Sequence, residues 1–292
     1  MNVLSTLVAS AAIAVLANAS NAQIATPPAS PHAQLTQQVG MATVTLDYSR
    51  PSMKGREIFG GLISYGQIWR AGANASTKIS FDQDVDFAGN AVPAGTYALY
   101  LIPNAKQFTV ILHKNTQLWG AGGYNADDDL LRVEIPVTRL ATPAESFTID
   151  LQNFHRNGAE LVIRWADVQV AVPLLIDGDP AILAEIDAKV VNATGPVSAS
   201  DYFSAAAFYH ETGRDLGLAA GWMDNAIAMQ PQAFWMVLAR AELAYDMGDM
   251  ERAKQGGERA RQLASESPSG DYGYVGRSNL LLKKIAASSN DA

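Results

Sequence analysis

The hydrophobic period of this chain changes once, near Ile176, and that change constrains the fold more than any other feature. Before it, the segments ATVTLDYS, TYALYLIP, QFTVILHK, LLRVEIPV, SFTIDLQNF, ELVIRWADV and VQVAVPLL alternate with a two-residue period between Gly, Pro, Asn and Asp turns. Seven to nine short strands without intervening helices predict an antiparallel β-sandwich or a jelly-roll-like barrel. In FTVILHK, Phe108, Val110 and Leu112 face one way and Thr109, Ile111 and His113 the other. Both faces are mostly apolar, which predicts a central strand.

After Ile176 the pattern is helical. DYFSAAAFYHETGRDLGLAAGWMDNAIAMQP and FWMVLARAELAYDMGDMERAKQGGERARQLA read as amphipathic helix pairs, and Ala219 and Ala226 recur 34 residues later as Ala253 and Ala260. That displacement predicts a tetratricopeptide-like repeat, with the small residues where helices close on one another. Pro231 ends one unit, and Gly248-Asp249 forms the turn inside the next. Two units are fewer than a free-standing array needs, so the helices are expected to lean on the β-domain or on a protein partner.

Four regions follow: a signal peptide over 1–22, a flexible linker over 23–38 that includes TPPASPHAQLTQQ, a β-sandwich domain over 39–176 and a helical domain over 177–292. The first 22 residues carry no charged side chain, and their apolar run from Val3 to Ala17 is too short for stable membrane insertion. Small residues at Ala17-Asn18-Ala19 and Ser20-Asn21-Ala22 suit a signal peptidase, which predicts a mature terminus at Gln23 and a periplasmic or secreted protein. The chain has no cysteine, which excludes disulfides, thiolate metal sites and cysteine nucleophiles. The net charge is -8, with 13 acids and 11 bases up to residue 175 and 16 and 10 beyond it. Neither part is basic enough for nucleic acid binding.

One family resemblance rests on long motifs in order: Y-S-R-P-S-x-K-G-R-x-I-F-G-G-L, Y-G-x-x-W-R-x-G-A-N-x-x-T, P-A-G-T-Y-x-L-Y-x-I-P and W-G-x-x-x-Y-N-x-x-D-D-x-L-R-V. Over residues 40 to 175 the chain resembles the secreted bacterial family catalogued as domain of unknown function 2911. The resemblance implies a compact exported β-domain, often followed by helical repeats. It implies no activity.

Positive charge concentrates in YSRPSMKGREIFGGLISYGQIWRAGAN, residues 48 to 74, where Arg50, Lys54, Arg56 and Arg70 face one acid, Glu57. Pro51 restricts Arg50 to extended backbone, and Gly55 and Gly72 let the chain turn beside the cations. Guanidinium groups so placed either converge on a carboxylate or phosphate, or pair with acids such as Asp47 or Asp128 and brace the loops. Asp127, Asp128 and Asp129 are a second source of counter-charge. The candidate ligand-binding set is Arg50, Lys54, Arg56, Arg70, Asn74, His113, Trp119 and Tyr124.

Asp82, Asp84 and Asp86 alternate in KISFDQDVDFAG and read as the solvated face of one strand, without the loop glycine and terminal glutamate of a calcium loop. Histidines 32, 113, 155 and 210 lack zinc spacing, and neither G-x-x-x-x-G-K-[ST] nor G-x-S-x-G occurs. No metal site and no cofactor are expected. Two function classes remain: an exported binding or scaffolding protein for a small anionic or glycan-like ligand and a protein partner, or a periplasmic hydrolase using carboxylates and His113.

Overall fold

A computed structural model describes residues 26–288, so the expected signal peptide lies outside the described residues. The chain divides into two compact units between Ile176 and Asp177. The first holds two antiparallel sheets and the second holds helices.

The larger sheet has six strands: β1 (His32–Val39), β2 (Ala42–Ser49), β3 (Thr77–Phe81), β6 (Gly95–Pro103), β7 (Gln107–His113) and β8 (Asp129–Pro136), neighbours in that order. The smaller sheet runs β5 (Asn90–Val92), β4 (Val85–Phe87), β10 (Gly158–Leu175) and β9 (Thr138–His155). Alternate residues of both sheets point into one core, where Leu46, Ile79, Leu99, Val110 and Leu112 meet Phe147, Ile149, Leu161, Ile163 and Val172. The inner strands β6 and β7 are buried on their other face too. There Ala98, Tyr100 and Ile111 lie under Ile68, Leu118, Ala121 and Tyr124, so loops cover the outer face of the sheet. That cover explains the apolar character of both sides of FTVILHK.

Two sequence expectations need correction. Residues 32–38, expected as linker, belong to β1, which pairs with β2 from His32↔Ser49 to Val39↔Ala42. Its Gln and Thr side chains look like a polar leader because β1 lies at a sheet edge and buries little beyond Leu35 and Val39. The three aspartates do not share a strand either, since Asp82 and Asp84 fall between β3 and β4. Each closes a local backbone contact: Asp82 accepts the Thr43 N–H at 2.7 Å, Asp84 that of Ala94 at 2.8 Å and Asp86 that of Gly89 at 2.6 Å. The segments ELVIRWADV and VQVAVPLL are a single strand, β10, whose register shifts around Ala166.

The helical unit contains α1 (Asp179–Ile186) with a π-helical turn over Asp187–Val191, then α2 (Ala199–Glu211), α3 (Leu216–Met229), α4 (Phe234–Asp246), α5 (Met250–Ser265) and α6 (Tyr274–Ser288). Helices α2, α3 and α5 start where Ser198, Asp215 and Asp249 accept the backbone N–H three residues on. Helices α2 and α3 pack together, as do α4 and α5. Ala219, Ala226, Ala253 and Ala260 are all fully buried. No helix among the described residues is long and apolar enough to cross a membrane.

Candidate functional site

The segment from Arg50 to Ser76 leaves the sheet at the end of β2 and returns at β3, and backbone bonds fasten it at both ends. Pro51 O accepts the Phe147 N–H at 2.8 Å, the Met53 N–H reaches Glu145 O at 2.8 Å, and Trp69 exchanges two 2.8 Å bonds with Leu101. Its aromatic side chains plug into the core. Trp69 stacks on Trp165 with centroids 5.7 Å apart, while Phe59 and Phe147 meet both indoles edge-on. Gly72 has a φ of +147°, and a Cβ there would stand 2.8 Å from Ser49 O, so only glycine lets the backbones approach this closely.

This anchoring leaves a cleft of about 640 Å³, walled by Ser52, Lys54, Arg56, Trp69, Arg70 and Trp165 among others. Among the described residues three cations line it and no carboxylate does. The three are held differently. Arg56 caps its own turn, Nε donating to Met53 O at 2.8 Å and Nη2 to Ser52 O at 2.6 Å. Lys54, at a φ of +50°, gives its backbone N–H to Glu145 Oε1 at 2.9 Å, and its exposed ammonium has no partner among the described residues. Arg70 is half-buried, its Nε fully so, and none of its N–H groups has an acceptor among the described residues. A buried donor without an acceptor costs about 1–3 kcal/mol, which the fold carries at Nε, while Arg70 as a whole lines the cleft with no acceptor among the described residues.

Arg50 is a brace. Its Nε donates to Phe147 O at 3.3 Å and its Nη2 to Thr148 Oγ1 at 2.8 Å, so it ties the segment to β9 and does not line the cleft. Neither expected acid, Asp47 or Asp128, pairs with an arginine of the segment among the described residues: Asp47 meets His32 at 3.0 Å, and of the 127–129 triplet it is Asp129 that binds an arginine, Arg132, with Nε at 2.5 Å. Asn74 is exposed at a φ of +62° and donates Nδ2–H to Ser49 Oγ at 3.2 Å.

His113, Trp119 and Tyr124 do not join the cleft. His113 is fully buried, with Nε2 3.1 Å from Asn125 O and Nδ1 accepting the Asn115 N–H at 3.1 Å. Both ring nitrogens are therefore occupied, and neither is open to a substrate. This corrects the reading of His113 as a hydrolytic acid or base: the residue ends β7 and holds the following loop. Tyr124 donates to Asp129 and accepts from Arg132 Nη2 at 2.9 Å. Burial, then the hydrogen bond and charge of Asp129, push its phenol up to about 12, with Arg132 partly offsetting them. Trp119 is 72% exposed and its backbone bridges to Ala75, while the next residue, Gly120, lies against the Arg70 guanidinium.

The two tryptophans of the cleft offer little to a stacking ligand. Trp69 and Trp165 are 6% and 2% exposed, and their faces are spent on each other and on phenylalanines. Sequence reasoning missed Ser52 and Trp165 as lining residues. Trp165 belongs to β10, and only the tertiary stack with Trp69 brings it to the segment.

Residues 30–174 match the family described as "Protein of unknown function (DUF2911)". The match covers the two sheets except for Leu175, the last residue of β10, and it includes every residue of the cleft except Ala29. No curated protein and no solved structure matches the chain. The DUF2911 match carries no activity, so the reading of the cleft stands on its chemistry.

Proposed function

We propose that this protein is an exported binding protein whose DUF2911 region holds a small anionic ligand in the cleft beside Arg70. The observation that carries the reading is charge without counter-charge: among the described residues Lys54, Arg56 and Arg70 line one cleft with no carboxylate, in a protein of net charge -8. Arginine forks fit carboxylate and phosphate oxygens, and a half-buried guanidinium binds them with less competition from water. The helices extend the proposal to a protein partner. Their support is the 34-residue recurrence of four buried alanines within two packed helix pairs, which suits a tetratricopeptide-like scaffold. Export to the periplasm or beyond rests on the uncharged apolar first 22 residues with small residues at the cleavage positions.

Thermal unfolding at fixed ionic strength, with succinate, phosphate or neutral maltose added, tests the cleft. An anion at about 100 times its Kd adds roughly 2.7 kcal/mol by mass action, so the melting temperature rises. Maltose gives no rise, and Arg70→Met loses the rise produced by the anion. Equal responses of native and Arg70→Met protein to every anion contradict the proposal.

A further inference from the structure

A second cationic pocket lies wholly within the helical unit, lined from α3, α4 and α5, with a volume of about 290 Å³. Arg240, Arg252 and Arg259 line it against one carboxylate, Asp224. Arg240 forms a fixed wall, its side chain only 8% exposed. Its Nε donates to Asp224 Oδ1 at 2.9 Å and its Nη2 to Oδ2 at 3.4 Å, while its buried Nη1 has no acceptor. Arg252 and Arg259 are seven residues apart on α5, so two helical turns set them on one face with Gln255 and Gly256 between them. Both are exposed and loosely held. Arg259 gives Nη2–H to Pro231 O at 3.1 Å, and Arg252 Nε stands 3.6 Å from Asp249.

Gly256 sets the depth of the pocket. A Cβ at this position would sit 2.8 Å from the Ala241 Cβ, so α5 rests directly on α4 and the arginine stems rise around the contact. Three guanidinium groups line the pocket with one lining carboxylate, Asp224, and the ion pair to Asp249 lies outside the lining, so positive charge remains in excess. A row of solvated arginines would need no buried member, whereas here one of the three is buried and aligned by two hydrogen bonds. The volume falls at the lower end of small-molecule pockets, roughly 300–1,000 Å³, and suits a compact anion.

We infer that this pocket binds a phosphate group, either inorganic phosphate or a phosphomonoester, whose negative charge meets the excess of guanidinium groups and whose oxygens match the arginine forks. It is separate from the β-domain cleft and does not rest on the reading of that cleft.

The test is a two-dimensional amide NMR titration of the full mature chain at constant ionic strength, with inorganic phosphate in one arm and phenyl phosphate in the other. Saturable shifts at the Gln255 and Gly256 amides are expected, and the arm with the lower Kd distinguishes free phosphate from a monoester. The double variant Arg252→Gln/Arg259→Gln should weaken binding at these amides at least tenfold, and Arg70→Met should leave it unchanged. Absence of saturable shifts at Gln255 and Gly256 in the native protein overturns the inference whatever the variants do. Unchanged affinity in the double variant, or loss of these shifts in Arg70→Met, also overturns it.

Discussion

Arg50 and Arg70 stand at the two ends of one loop segment, and their guanidinium groups predict opposite responses to the same substitution. Arg50→Met removes charge-assisted bonds to Phe147 O and Thr148 Oγ1, so it should cost about 1.5–3 kcal/mol in chemical denaturation. Arg70→Met removes no protein hydrogen bond and relieves repulsion from Lys54 and Arg56, so stability should hold or rise. A loss as large as that of Arg50→Met would show that Arg70 has a structural partner. Tyr124 makes a separate prediction. Its phenol titrates near 12 when folded and near 10 when unfolded, so the folded state holds this proton more tightly. That contribution is complete below pH 10 and is lost as pH rises towards 12. Denaturation midpoints of the native protein should therefore fall more steeply over this window than those of Tyr124→Phe; parallel curves would contradict the assignment.

At the scale of elements, close approach is the recurring device. Gly72→Ala would place a methyl group 2.8 Å from Ser49 O at a φ that alanine avoids, so a loss above about 1 kcal/mol is expected in denaturant titrations. In the helices, Ala226→Leu or Ala260→Leu should overpack a pair and cost about 1 to 3 kcal/mol; unchanged melting in both variants would count against the repeat. These elements also show how much the sequence disclosed. Central strands such as β7 announce themselves because both faces are apolar, and α3 and α5 because their alanines recur at a fixed spacing. The edge strand β1 was hidden because Gln and Thr on a half-exposed strand resemble a polar leader. The short strands β3 to β5 were hidden because Asp82 and Asp84, which close backbone contacts, read as one alternating strand.

For the whole molecule, the cationic stretch was visible in the sequence but its division of labour was not. Arg50 and Arg70 have the same side chain in the same segment. Only tertiary placement gives one Phe147 O and Thr148 Oγ1 and leaves the other without an acceptor. His113, Trp119 and Tyr124 lie near one another in sequence, yet His113 and Tyr124 pack with Tyr100 under the loop and Trp119 points to solvent. Export carries its own check. Mass spectrometry of protein from the native host should find a terminus near Gln23 in an extracytoplasmic fraction, and intact Met1 in the cytosol would contradict it. The central claim is that an anion sits on Arg70, and isothermal titration calorimetry of native and Arg70→Met protein with succinate and phosphate at fixed ionic strength tests it most directly. The account predicts saturable binding of at least one of these anions to the native protein, weakened at least tenfold in a fully folded Arg70→Met variant. Identical isotherms for the two proteins, or no heat of binding from either anion, would contradict it.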